Sequence, residues 1–254
     1  MIEDMETMLI IVGVLVAIGL VFLAIKAAAL AKKRAQERID AMGSFAARMG
    51  FTFATAHDAA HDDEFAHFEV FRQGFDRYAY NTISGPVDLG AAVVGCKTGD
   101  FHYKTRETYT TTDSKGRTTT HTRIVSHHFS YFILELPYDS IPDVLIRREG
   151  LFDKIAAAFG KNDIDFESSE FSRKYFVKCD NRKFAYDIIN PRMIEFLLET
   201  KPGLIDMENS RICLTNGLST WPAERFEGSL GWTLKFLEHW PDFVIKDLEE
   251  GRIS

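Results

Sequence analysis

What this sequence lacks narrows it quickly. Its three cysteines, Cys96, Cys179 and Cys213, are odd in number, far apart and without a CxxC pair. That leaves neither a disulfide framework nor a thiolate zinc site. Positive charge is not in excess: 30 Lys and Arg stand against 37 Asp and Glu, a net charge of −7. A general nucleic-acid binder needs a basic face, so no nucleic-acid partner is expected. No G-x-S-x-G elbow occurs, and no cysteine neighbours a histidine. The stretch LGAAVVGCKTG spaces Gly90 and Gly95 like a phosphate loop. Cys96 intrudes before Lys97, however, and a strand pattern follows where a helix should cradle phosphate. In NDIDFESSE an EF-hand loop would need Gly where Ser168 stands and Glu where Lys174 stands. Asp163, Asp165 and Glu167 then read as the solvated face of a strand.

One long uncharged run is present. MLIIVGVLVAIGLVFLAI, residues 8–25, makes a helix of ~27 Å at ~1.5 Å per residue, close to the hydrocarbon thickness. Continuing to Leu30 adds about a turn, with Lys26 snorkelling toward the headgroups. Glu3, Asp4 and Glu6 precede the run; Lys26, Lys32, Lys33, Arg34 and Arg38 follow it. The positive-inside rule places the N-terminus outside and the rest of the chain in the cytoplasm, a single-pass topology. A cleaved signal peptide is the competing reading, with Ala27–Ala31 as its cleavage site. Against it stand the acidic start and the long apolar core. The sequence predicts an outer tail over 1–7, a transmembrane helix over 8–30 and a juxtamembrane helix over 31–50. In the last, Ile39, Met42, Phe45, Ala46 and Met49 share a face and Gly50 is the stop. Lys32, Lys33, Arg34 and Arg38 are the candidate membrane-surface contacts.

The remainder, with 21 Phe in the chain and 26% charged residues, has a globular α+β composition. Residues 51–138 read as β-rich. FTF, FEVF and AAVVGC are short strands, and RYAYNTISG is one or two helical turns before Gly85-Pro86. FHYKTRETYT and TTTHTRIVSHHFSYFILEL flank Asp113-Ser114-Lys115-Gly116, so the fold includes a long antiparallel hairpin. Residues 139–254 mix elements: helices LFDKIAAAFG, RKFAYDII and RMIEFLLETK, strands IDF and KYFVKC, and a small hairpin LIDME/RICLT. A last helix starts at Thr220-Pro222, with Phe226, Leu230, Leu234 and Leu237 on one side. EVFRQGFDRYAYNTI (69–83) aligns without gaps to YFVKCDNRKFAYDII (175–189). The two stretches read as related halves or as coincidence in an aromatic-rich chain.

Candidate chemistry is sparse. HDAAH, with His57 and His61 at zincin spacing and Asp58 in place of the usual Glu, would put two imidazoles on one helix face to share Zn²⁺. A solvated connector competes with that reading. In the hairpin, a four-residue turn sets His102 against His127, whereas a three-residue turn sets His102 against His128; either pair is a metal or pH-sensing candidate against plain cross-strand pairing. No catalytic set and no cofactor are expected.

The run IDFESSEFSRKYFVKCDNRKFAYDIINPRMIEFL and the Trp221-Pro222 helix start resemble a group of bacterial single-pass, membrane-anchored proteins. These share an anchor, a β-rich first half and a phrase like Phe171-Ser172-Arg173-Lys174-Tyr175 before a strand. The resemblance covers about 68–248 and implies a fold without an assigned activity; Cys179 departs from it where Gly would follow the strand. The expected function is a membrane-tethered cytoplasmic binding or scaffold domain, non-enzymatic, with an unidentified protein or small-molecule partner and the bilayer at 8–30. The alternatives are a metal-dependent hydrolase on HDAAH and lipid-surface sensing by the hairpin. The hairpin reading rests on six Lys and Arg against three Asp and Glu over residues 97–128.

Overall fold

A computed structural model describes the chain except for residues 1, 91, 151–162 and 254 and the side chains of 2–12, 14 and 16. The helix expected at LFDKIAAAFG lies outside the described residues. The chain divides into two compact units, residues 1–41 and 42–254. Helix α1, Ile2–Met49, is continuous through the expected tail, anchor and juxtamembrane segments and ends at Gly50, whose φ is 69°. Among the described residues no helix is long and apolar enough to cross a membrane. The run 8–25 begins among side chains outside the described residues.

The folded unit is α+β, built on one eight-stranded sheet in which every neighbouring pair is antiparallel. Its strands are β1 (Thr52–Ala54), β2 (Phe75–Asp88), β3 (Val93–Thr112), β4 (Thr118–Glu135), β5 (Val144–Arg148), β6 (Tyr175–Cys179), β7 (Leu204–Glu208) and β8 (Arg211–Thr215). They lie in the order β1-β2-β3-β4-β8-β7-β5-β6. The sheet therefore runs unbroken across residue 138, where the sequence suggests two halves. The helices are α2 (His61–Glu64), α3 (Ser169–Lys174), α4 (Arg182–Ile188), α5 (Pro191–Thr200), α6 (Ala223–Glu238) and α7 (Asp242–Glu249).

Both faces of the sheet are covered, so the central strands read as nearly continuous apolar runs. On one face Phe101, Phe129, Tyr131, Ile133, Leu145 and Leu204 pack with Phe65, Phe68, Val70 and Phe71 from the segment after β1. On the other, Tyr175 donates its hydroxyl proton to the Leu197 carbonyl of α5, and the Trp221 N–H before α6 donates to Ser130 Oγ at 2.7 Å. Ser130 in turn donates to Asp100 at 2.6 Å, and Asn81 donates to the second Asp100 oxygen. This chain of hydrogen bonds fixes the α6 start against β4. The end of α1 belongs to the same unit: Met42, Phe45 and Ala46 are buried, and Arg48 pairs with Glu227 of α6 at 3.0 Å.

Local chemistry explains most elements. Asn181 and Asn190 accept from the N–H groups of Phe184 and Met193 and cap α4 and α5, with Pro191 at the first turn. Asn209 and Ser210, both at positive φ, close the β7–β8 hairpin as a two-residue turn.

Several expectations fail. RYAYNTISG is strand, not helix: it is held to β3, with Ala79 on the packed face, and residues Asp76 and Asn81 at positive φ sit where the register shifts. FEVF is a turn of 3-10 helix, Glu69–Phe71, because Phe68, Val70 and Phe71 are all buried and strand alternation is absent. Gly74 reverses the chain at φ 60°, where a Cβ would strike the Lys104 carbonyl. The two segments aligned as a repeat take opposite forms, 3-10 turn then strand against strand then helix, so these two stretches do not share a structure. IDF is irregular, pinned to β6 by Ile164 N–H on the Val177 carbonyl and Val177 N–H on Asp163. The buried stripe of α6 is Phe226, Ser229, Thr233 and Phe236, not the leucine row, and the helix breaks at Trp240-Pro241 before α7.

Candidate functional site

The HDAAH residues do not share a helix face. Only His61 is helical, in the single turn of α2; His57 precedes a bridge between Asp58 and Ala79 and stacks on Tyr78 at 3.9 Å. His61 is fully buried, boxed by Phe65, Phe71 and Tyr131 with ring centroids 4.6–4.7 Å away. Burial, and next the Lys97 charge, push its pKa well below the ordinary histidine value, so it is a neutral core imidazole. Among the described residues no group of three or more His, Cys, Asp or Glu is placed to hold a metal.

The hairpin takes the three-residue option. Gly116 N–H donates to the Asp113 carbonyl and Asp113 N–H to the Arg117 carbonyl, with Gly116 at φ 77° supplying the left-handed position. The Asp113 carboxylate closes the tip by accepting from the Lys115 and Arg117 N–H groups. His102 therefore faces His128, rings 4.7 Å apart, and His127 faces Tyr103 and stacks on it at 4.6 Å. His102 is buried and donates from Nδ1 to the Asp76 carbonyl, while His128 bonds the Tyr80 hydroxyl. These contacts make an aromatic row, His57–Tyr78–His102–His128, at the root of the hairpin.

Among the described strands, β3 and β4 pair only with each other beyond Lys104 and Ser126. This two-stranded arm, residues 105–125, has a row of cross-strand threonine pairs on one side: 108 with 122, 110 with 120, and 112 with 118. The other side carries Glu107–Arg123 at 2.8 Å and Tyr109 stacked on His121. Tyr109 and Ile124 are 48% and 61% exposed. The positive charge of the stretch is largely spoken for. Lys97 pairs with Glu64 and Asp58, Lys104 with Asp76, Arg117 with Asp113 and Arg123 with Glu107. The proposed membrane-contact residues Lys32, Lys33, Arg34 and Arg38 lie on α1 in the other unit, with Lys33 paired to Glu37 at 3.7 Å.

A third place escaped the sequence reading. At the β5–β6–β7 end, on the aromatic face, a cleft of about 300 Å³ has Asp143, Lys178, Asp206 and Glu208 along the sheet and His67, Glu69 and Arg72 opposite. Leu145 pairs with Asp206 on one side and Lys178 on the other, which sets the three in one row. Burial, then the neighbouring Glu208 and Asp143, hold Asp206 well above the usual carboxylate range. Burial, then the neighbouring Asp143 and Glu69, push Glu208 to about 7. His67 is pushed below its ordinary value by burial and by Arg211. The one sequence signal is the Asp in LIDME, on a strand whose other residues on that side are Leu204 and Glu208. Alternation alone does not mark such a residue as buried.

These elements define an α+β domain with a projecting β-ribbon and an acidic cleft. No family model matches the chain, and no curated protein sequence matches it. The crystal structure of the mycobacterial trehalose monomycolate transport factor A, TtfA, is similar at 13% identity and a TM-score of 0.44, over 80% of this chain and 96% of that one.

Proposed function

We propose that the chain is a non-enzymatic binding domain, tethered to a bacterial inner membrane by residues 8–30 with its folded unit in the cytoplasm, and that it grips a partner protein through the β3–β4 arm. The anchor rests on the uncharged run 8–25 and the basic flank after it. Ile18, Leu20, Val21, Phe22, Leu23 and Ile25 are all exposed and together place apolar side chains on every side of the helix. The observation that carries the partner reading is the arm itself. Among the described residues no further strand pairs with the arm along 105–112 or 118–125, and it exposes Tyr109 and Ile124. Unpaired edges are templates for an added strand, and a domain with no such partner gains nothing from the exposure. Lipid-surface sensing draws less support, since four of the six basic residues of the stretch are held in ion pairs.

A photo-crosslinking side chain at Thr110 or Ile124, in the full chain in its native membrane, tests this. The expected result is a discrete protein adduct that a shortened arm, with 106–124 replaced by Asn-Gly between Thr105 and Val125, no longer competes for. Adducts to lipid alone would favour the lipid reading, and no adduct at either position would remove the arm as the contact. A periplasmically active reporter fused at Ser254 would reverse the topology.

A further inference from the structure

We infer that the acidic cleft is a site for a small organic ammonium ligand, a primary amine or short diamine, seated on Asp206 and Glu208. This goes beyond the arm reading and does not depend on it. Asp206 is 6% exposed and lines the cleft, yet among the described residues its carboxylate has no hydrogen-bond donor and no salt bridge. Buried carboxylates are nearly always paired, so one that opens toward a cavity is a natural seat for a cation. The charges facing it favour a cation there: Glu208, Asp143 and Glu69 repel it, and among the described residues Lys178 is the charge that attracts it. Arg72, across the cleft, is engaged with Glu69 at 3.5 Å, and Asp180 adds a further negative charge at the rim. A fold needing only stability would place an apolar side chain beside Leu145 and Cys213.

The chemistry of the donors selects the cation. A hard divalent ion wants six or more converging oxygens, and no set of even three metal-ligating side chains converges among the described residues. An alkylammonium carries three donors on a tetrahedral head and accepts widely spaced oxygens. Asp206 and Glu208, two residues apart on one side of β7, have Cα atoms roughly 7 Å apart, about the span of a short diamine. The volume of about 300 Å³ lies at the small end of ligand pockets. Burial and Arg211 bias the His67 imidazole opposite toward its uncharged form, which limits competition with a cation. A cation favours the ionised carboxylates, so it lowers their raised pKa values and expels protons. Binding therefore strengthens as pH rises through about 7, where Glu208 titrates.

The test is calorimetric titration of the full chain in detergent with 1,4-diaminobutane at pH 8 and pH 6, with MgCl₂ and CaCl₂ as separate titrants. One saturable site is expected, tighter at pH 8. Asp206→Asn weakens it by about tenfold or more, as loss of a charge-assisted contact does. Lys178→Met tightens it by removing the resident competitor, and Glu224→Gln, remote on α6, leaves it unchanged. Glu208→Gln reads the same site should Asp206→Asn fail to fold. Absence of saturable binding at pH 8 overturns the inference. So does equal weakening by Glu224→Gln, which would signal diffuse attraction to an acidic protein. Binding of Mg²⁺ or Ca²⁺, but not the diamine, through Asp206 overturns the ligand class.

Discussion

The strands β3 and β4 are one ladder from Cys96–Leu134 to Thr112–Thr118, yet its two lengths live in different solvents. In the body Phe101, Phe129, Tyr131 and Phe132 are at most 1% exposed; in the arm residues 111–120 are all exposed. Backbone pairing is the same throughout, so hydrogen bonds do not distinguish them. What differs is the apolar area removed from water, which supplies most of the stability of a sheet. The body sets the register and the arm inherits it, held by cross-strand side-chain pairs worth roughly 0.2–1 kcal/mol each.

Phe101→Ala breaks the comparison at its strongest point. The ring lies 4.9 Å from Phe71 and 5.4 Å from Phe129, and its removal is expected to cost about 3–5 kcal/mol in urea unfolding. Tyr109→Ala, the arm's largest ring, should cost no more than about 1 kcal/mol. Comparable losses from the two would mean that the arm is packed against something and is not a bare ribbon.

Legibility followed the same divide. The hairpin, its Asp-Ser-Lys-Gly turn and the capped helices α4 and α5 were readable, because short-range chemistry specifies them: Gly116 supplies φ 77° and Asn181 and Asn190 their side-chain oxygens. RYAYNTISG was misread because pairing with β3 overrides its local pattern. The histidine register depended on one residue of loop length, and that single step exchanges His127 for His128 opposite His102. The cleft is illegible in the sequence because Lys178 and Asp206 come from β6 and β7 and Asp143 from the residue just before β5, and the adjacency β6-β5-β7 is not their order in the chain.

Two buried titratable groups on the same sheet face sharpen the contrast further, since one is sealed and the other faces a cavity. His61 has a folded pKa below its unfolded value near 6.5, so the unfolded chain binds the extra proton. Its contribution is complete above about pH 6.5 and is lost as pH falls below it, at no more than about 1.4 kcal/mol per pH unit. His61→Phe should flatten that acid limb. Asp206 has the opposite sign: its folded pKa is raised, so stability is complete below about pH 4 and declines as pH rises. Asp206→Asn should therefore raise the thermal midpoint at pH 8 while weakening any cation bound there. A lower midpoint would show that the carboxylate has a structural partner.

The smallest expected effect isolates the arm. Thr110 and Thr120 face each other on the threonine row, with no ring or ion pair attached. Valine keeps the β-branch and the volume and removes only the hydroxyl, so a Thr110→Val, Thr120→Val double variant should shift stability by less than about 0.5 kcal/mol. If the row is a contact surface, the same variant changes the yield of the protein adduct formed from Ile124, which lies on the same side of the ribbon. A stability loss above about 1 kcal/mol with unchanged adduct yield would make the threonines a scaffold for the arm, leaving contact to the Tyr109 and His121 side.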